Sequence, residues 1–70
     1  MKLSARNQIP GKVVSVKKGA VMAEVEVDVG LPVNMVSEIS ITSAKDLKLK
    51  PGKGVIVVVK STEVMIGVSD

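Results

Sequence analysis

The stretch Ala20–Val29, AVMAEVEVDV, decides the fold. Val21, Ala23, Val25, Val27 and Val29 fall on one parity; Met22, Glu24, Glu26 and Asp28 fall on the other. Strict alternation of this kind is the mark of a half-buried antiparallel strand, because successive side chains of a strand point to opposite faces. A helix would mix the two sets around its circumference. The flanks agree with a strand. Lys18-Gly19 before it reads as a tight turn, and Gly30-Leu31-Pro32 after it breaks the pattern.

Working outward, Gly11–Lys17 reads as a preceding strand carrying Val13, Val14 and Val16, joined to Ala20–Val29 as a hairpin. Asn34–Ile41 resumes the alternation, with Met35, Ile39 and Ile41 set against Glu38 and Ser40. Ser43 has the character of a helix N-cap, with Asp46 in a position resembling a capping box. Ala44, Leu47 and Leu49 would then face the core over one or two turns, stopped by Pro51-Gly52. Gly54–Lys60 is an almost unbroken apolar run, so both faces of that strand are expected to be covered. Glu63–Val68 reads as a fifth and last strand, interrupted by Gly67. The order is three strands, a helix and two strands. It predicts an all-β domain over residues 1–70: a small five-stranded Greek-key barrel of the oligonucleotide/oligosaccharide-binding type, with an SH3-like barrel as the runner-up.

Composition narrows the function. The 70 residues contain no Cys, no His and no aromatic residue. Disulfides, zinc sites and Ser-His or Cys-His pairs are therefore excluded. Base-stacking platforms are excluded too, and with them most single-strand nucleic-acid binding. The carboxylates lie on the polar face of an alternating strand, where a solvated face is the simpler reading than catalysis or a cation site. Pro51-Gly52-Lys53-Gly54 resembles a fragment of a phosphate loop but opens a strand, where such a loop requires a helix. No enzymatic activity is expected. The start, MKLSARNQ, has no apolar core region, so neither a signal peptide nor a membrane span is expected, and the cytoplasm is the expected compartment.

A core without rings is thin. A domain of this size buries only about 60% of its unfolded surface, and large rings usually supply much of that burial. With no disulfide and no metal cluster, association remains as the stabilising device, so an oligomer with apolar interfaces is expected.

Charge is arranged in blocks. Residues 1–18 carry Lys2, Arg6, Lys12, Lys17 and Lys18 with no acid, residues 19–41 carry four acids and no base, and residues 42–60 carry five lysines against Asp46. One reading is complementary solvated strands within a sheet. The other is a small anion held where two basic stretches meet. Two clusters suit the second reading. Ser4-Ala5-Arg6-Asn7 gathers hydroxyl, guanidinium and amide donors, and Lys60-Ser61-Thr62 places an ammonium and two hydroxyls after the most apolar strand. Each can equally be a solvated strand end. A tetrahedral dianion needs many converging donors: Arg as a fork, Lys as a point charge, hydroxyls and backbone N–H groups.

The sequence SARNQIPGKVVSVKKGAVMAEVEVDV with KSTEVMIGVSD at the other end resembles the molybdate-binding Mop proteins, or molbindins, whose fold is also called the TOBE domain. The likeness covers essentially the whole chain. Either motif alone is weak; the pair separated by one small barrel is specific. The resemblance implies a hexamer built as a trimer of dimers that binds molybdate or tungstate between subunits and serves as an intracellular oxyanion store. It implies Ser4, the Ala5 backbone amide and Arg6 as ligands from the first motif, Lys60 and Ser61 from the second, and Ser40 as a hydroxyl ligand before the helix. It also implies a second class of sites near symmetry axes, to which the Lys17–Val21 turn is assigned. Gly30-Leu31-Pro32-Val33-Asn34 departs from the Gly-rich turn of many relatives without touching either motif. Two rival expectations remain: a nucleic-acid-binding barrel, opposed by the missing aromatics and the acidic second strand, and a free-standing module that senses molybdate for a partner protein.

Overall fold

A computed structural model describes Ser4 and residues 7–69 of the chain. Four strands and one short helix follow in the order β1 (Asn7–Lys18), β2 (Met22–Asp28), β3 (Met35–Ser40), α1 (Ile41–Asp46) and β4 (Gly54–Val59), with a 3-10 helix at Ser61–Glu63. All pairings are antiparallel, and the sheet order is β3-β2-β1-β4. The first three strands form a meander and the fourth returns beside the first, which is the Greek-key arrangement.

The long first strand organises the rest. Its first half, Asn7 to Lys12, pairs with β4, and its second half, Lys12 to Lys18, pairs with β2. A register shift between Val13 and Ser15 marks the change of partner. Such a bulge bends a strand and raises its twist. Val13 stays bonded through both its backbone groups to the segment leading into β4: its N–H donates to the Lys53 carbonyl at 2.9 Å, and its carbonyl accepts from the Gly52 N–H at 2.8 Å. Gly11 lies beside this bend because nothing larger fits. A Cβ there would stand 2.7 Å from the Asp28 carbonyl oxygen and 2.7 Å from Val27 Cγ1.

The hairpin turn at Lys18-Gly19 is present, closed by Gly19 N–H to the Met22 carbonyl at 2.8 Å. The alternation of the second strand is realised over Met22–Asp28, where Ala23, Val25 and Val27 are buried while Glu24 and Asp28 are exposed; Val21, expected on the buried face, lies before the strand and is exposed. The charge blocks become cross-strand neighbours, Lys12 opposite Asp28 and Lys17 opposite Glu24, each such pair contributing about 0.2–1 kcal/mol. Glu24 also stands opposite Glu38 of β3, so Lys17 serves as counter-charge to a like-charged pair.

The core is small. Val13, Val25 and Val27 form its centre, with Val16, Val29, Ile39, Leu49, Val55 and Val57 packed against it. The sheet curls so that β3 and β4 face one another across a cavity of about 220 Å³, lined by Ser37 and Ile39 on one side and Val55 and Val57 on the other.

Several expectations are corrected. The helix is capped by Ser40, not Ser43: the Ser40 hydroxyl accepts the Ser43 N–H at 3.0 Å and donates to the Ser43 hydroxyl at 2.9 Å. The helix also ends earlier than Pro51. Leu47 is its C-cap, Lys48 takes a left-handed φ of 54°, and the Lys53 ammonium donates to the Leu47 carbonyl. Ala44 is buried and Leu49 packs on the core, but Leu47 is exposed. In β4 only one face is covered: Val55 and Val57 turn inward, while Ile56 and Val58 remain exposed. The expected fifth strand at Glu63–Val68 is not formed. Residues 61–63 make the 3-10 turn and residues 64–69 have no ladder partner among the described residues. The apolar residues that suggested a strand are present there, with Met65, Ile66 and Val68 each more than 85% exposed. The Cα radius of gyration, 13.0 Å, exceeds the roughly 11 Å of a compact chain of this length.

Candidate anion-binding site

The register of β1 against β4 brings the ends of the two donor motifs together. Asn7, the last residue of Ser4-Ala5-Arg6-Asn7, pairs with Val59, and Val59 is followed directly by Lys60 and Ser61. Asn7 and Lys60 therefore stand at one end of one strand pair, although some fifty residues of chain separate them. Ser4 is exposed. Ala5 and Arg6 lie outside the described residues.

On the β4 side, Lys60 has extended backbone angles (φ −65°, ψ 136°) and stands as the N-cap of the 3-10 helix without a side-chain cap bond. Its carbonyl accepts the Glu63 N–H at 2.9 Å, and the Ser61 carbonyl accepts the Val64 N–H at 3.5 Å. The turn thus consumes backbone groups and leaves the Lys60 ammonium and Ser61 hydroxyl exposed, without hydrogen-bond or ion-pair partners among the described residues. These are uncommitted donors of the kind an oxyanion requires.

Ser40 lies elsewhere. It pairs with Met22, next to Ala23, which pairs with Lys18. Ser40 is therefore at the Lys18 end of β1, and Lys60 at the Asn7 end. Those ends are on the order of 30 Å apart along the strand. One protomer does not bring Ser40 to Lys60, and the Ser40 hydroxyl already serves the helix cap.

The sequence reading passed over Glu63. A cradle of donors has no use for a carboxylate, and ending the basic block at Lys60 left Glu63 outside it. The spacing of Lys60 and Glu63 was the available signal, since three residues is one turn of 3-10 helix. Among the described residues no group of three or more acids, His or Cys could hold a metal cation, and no helix is long and apolar enough to cross a membrane.

Comparison with known proteins identifies the family. Residues 3–66 match the TOBE domain. The chain is 50% identical over 66 residues to molybdenum-pterin-binding protein 3 of Clostridium pasteurianum, covering 94% of this chain and 97% of that protein. Its structure is similar to that of MopII from Clostridium pasteurianum, with a TM-score of 0.89 and 46% identity over 96% of this chain and 100% of the other. It is also similar to a cytoplasmic molybdate-binding protein, ModG, solved with molybdate bound; there the TM-score is 0.92 at 35% identity, over 99% of this chain and 49% of that one. With a family match across nearly its whole length and half its residues shared with a molybdenum-pterin-binding protein, this chain belongs to the Mop family and is built on the TOBE domain.

Proposed function

We propose that the protein binds molybdate at seams between copies of itself and holds it in the cytoplasm as a store, without catalysis. The observation that carries this reading is the Asn7–Val59 pairing, which sets the last residue of the first motif beside the start of the second, whose Lys60 and Ser61 side chains are unspent among the described residues. The family supports the ligand: a relative of the same fold was solved with molybdate. Tungstate has the same charge and shape and satisfies the same donors.

Placement between copies rests on what a protomer leaves incomplete. The half-exposed face of β4 (Ile56, Val58), the segment 64–68 and the cavity between β3 and β4 are apolar surface that water penalises. A second copy covers them without need of another partner. Ser4, the Ala5 amide, Arg6, Lys60 and Ser61 are the proposed ligands. Ser40, at the far end of β1, reaches the same ion only from a neighbouring copy. A hexamer arranged as a trimer of dimers is the proposed assembly.

An ion that binds only the folded assembly stabilises it by mass action, by about 2.7 kcal/mol at one hundred times Kd. Thermal unfolding with molybdate, against sulfate and chloride at matched ionic strength, tests the proposal. A rise in Tm with molybdate and none with chloride is expected. No rise at millimolar molybdate rejects the site.

A further inference from the structure

Glu63 shares the 3-10 turn with the Lys60–Ser61 donors, and its carboxylate is unused by the reading above. Glu63 N–H closes an i to i+3 bond on the Lys60 carbonyl at 2.9 Å. Such a closure holds the two Cα atoms within about 7 Å. The 3-10 turn repeats every three residues, so its length returns Glu63 toward the residue that caps it. Glu63 is exposed and its side chain has no partner among the described residues. The turn therefore contributes one positive and one negative charge, and its net charge is zero.

Resting on the proposed oxyanion site, we infer that Glu63 is a specificity-determining residue of that site: its fixed negative charge weakens anion binding in proportion to the anion's charge, keeping a dianion exchangeable rather than trapped. A storage protein needs release as much as capture, and donors alone supply only capture. Glu63 acts across space, through the field, and does not touch the ion. A carboxylate in direct contact would demand a protonated ligand, and molybdate at neutral pH carries no proton.

The charge dependence separates this role from a structural one. Perrhenate is a tetrahedral oxyanion with about the size of molybdate and half its charge. For a carboxylate about 7 Å from the bound ion, the separation this inference assigns, removing its charge in water at low salt tightens binding about five-fold for a dianion and about two-fold for a monoanion. The experiment is calorimetric titration of the full-length protein and of Glu63→Gln and Glu63→Lys with molybdate and perrhenate, at low and physiological ionic strength. Expected is a graded rise in affinity from Glu to Gln to Lys. The logarithmic gain for molybdate should be about twice that for perrhenate, and both should shrink with salt. Wild-type binding with equal affinities in all three proteins, or equal gains for the two anions, overturns the inference and leaves the site standing. Absence of molybdate binding by the wild type overturns both. Circular dichroism of each variant checks that the exposed substitution leaves the fold intact.

Discussion

Replacing Gly11 with Ala probes the bend on which the sheet depends. The new methyl carbon would stand 2.7 Å from the Asp28 carbonyl oxygen, 2.7 Å from Val27 Cγ1 and 3.1 Å from Val29 Cγ1. A valine methyl can rotate aside, but the carbonyl belongs to the β2 backbone, where Asp28 is paired with Lys12. Relief therefore requires β1 and β2 to part at their crossing, beside the Val13–Val27 core. Overpacking in a well-filled interior costs about 1–3 kcal/mol, and a clash against main chain belongs at the upper end. For a domain of this length each kcal/mol moves Tm by about 4–8 °C, so a fall on the order of 15 °C is expected. Gly54→Ala is the control. It lies in β4 of the same sheet, has nothing within 4 Å of its Cβ, and should shift stability by less than about 1 kcal/mol. Differential scanning calorimetry at one protein concentration measures both. If Gly11→Ala melts within about 3 °C of wild type, the close crossing of β1 and β2 is wrong.

Ser40→Ala should destabilise the protein by about 1 kcal/mol, because the Ser43 N–H loses its acceptor; denaturant unfolding measures it, and no change would remove Ser40 as the cap. The same variant titrated with molybdate shows whether Ser40 also touches the ion, since a loss of affinity beyond the loss of stability requires a neighbouring copy to present it. Arg6→Lys exchanges a two-pronged donor for a point charge and should weaken molybdate binding by about 1–3 kcal/mol; unchanged affinity by calorimetry would take Arg6 out of the site. Ser61→Ala should weaken molybdate binding by about 1 kcal/mol with little change in unfolding of the free protein, since the hydroxyl has no partner among the described residues.

The sheet was legible where one local rule acted alone. Alternation in Ala20–Val29 predicts the strand, its buried face and its hairpin, because burial on one side and water on the other leave a period of two. Legibility failed where two local readings competed. The strand end and the helix start meet there: Ser43 fits a cap by its spacing from Asp46, but the chain uses Ser40 because β3 ends at it, with the Ile41 N–H bonded back to the Val21 carbonyl at 2.9 Å. It failed again where apolar surface finds no cover among the described residues. The Gly54–Lys60 and Glu63–Val68 runs announce more buried surface than one chain supplies, so Ile56, Val58 and Met65 are apolar in sequence and exposed in the structure. The donor motifs are legible by residue type, and the pairing of Asn7 with Val59 sets the last residue of one beside the start of the other. Gly11 carried no sequence signal distinguishing a turn from a close approach.

The account stands on an anion shared between copies, and native mass spectrometry with molybdate and with sulfate tests that directly. The prediction is a hexamer that takes up molybdate in a reproducible ratio to subunits, together with loss of bound ion when the assembly is dissociated. A monomer that retains molybdate, or a hexamer that takes up molybdate and sulfate alike without a fixed ratio, would contradict it.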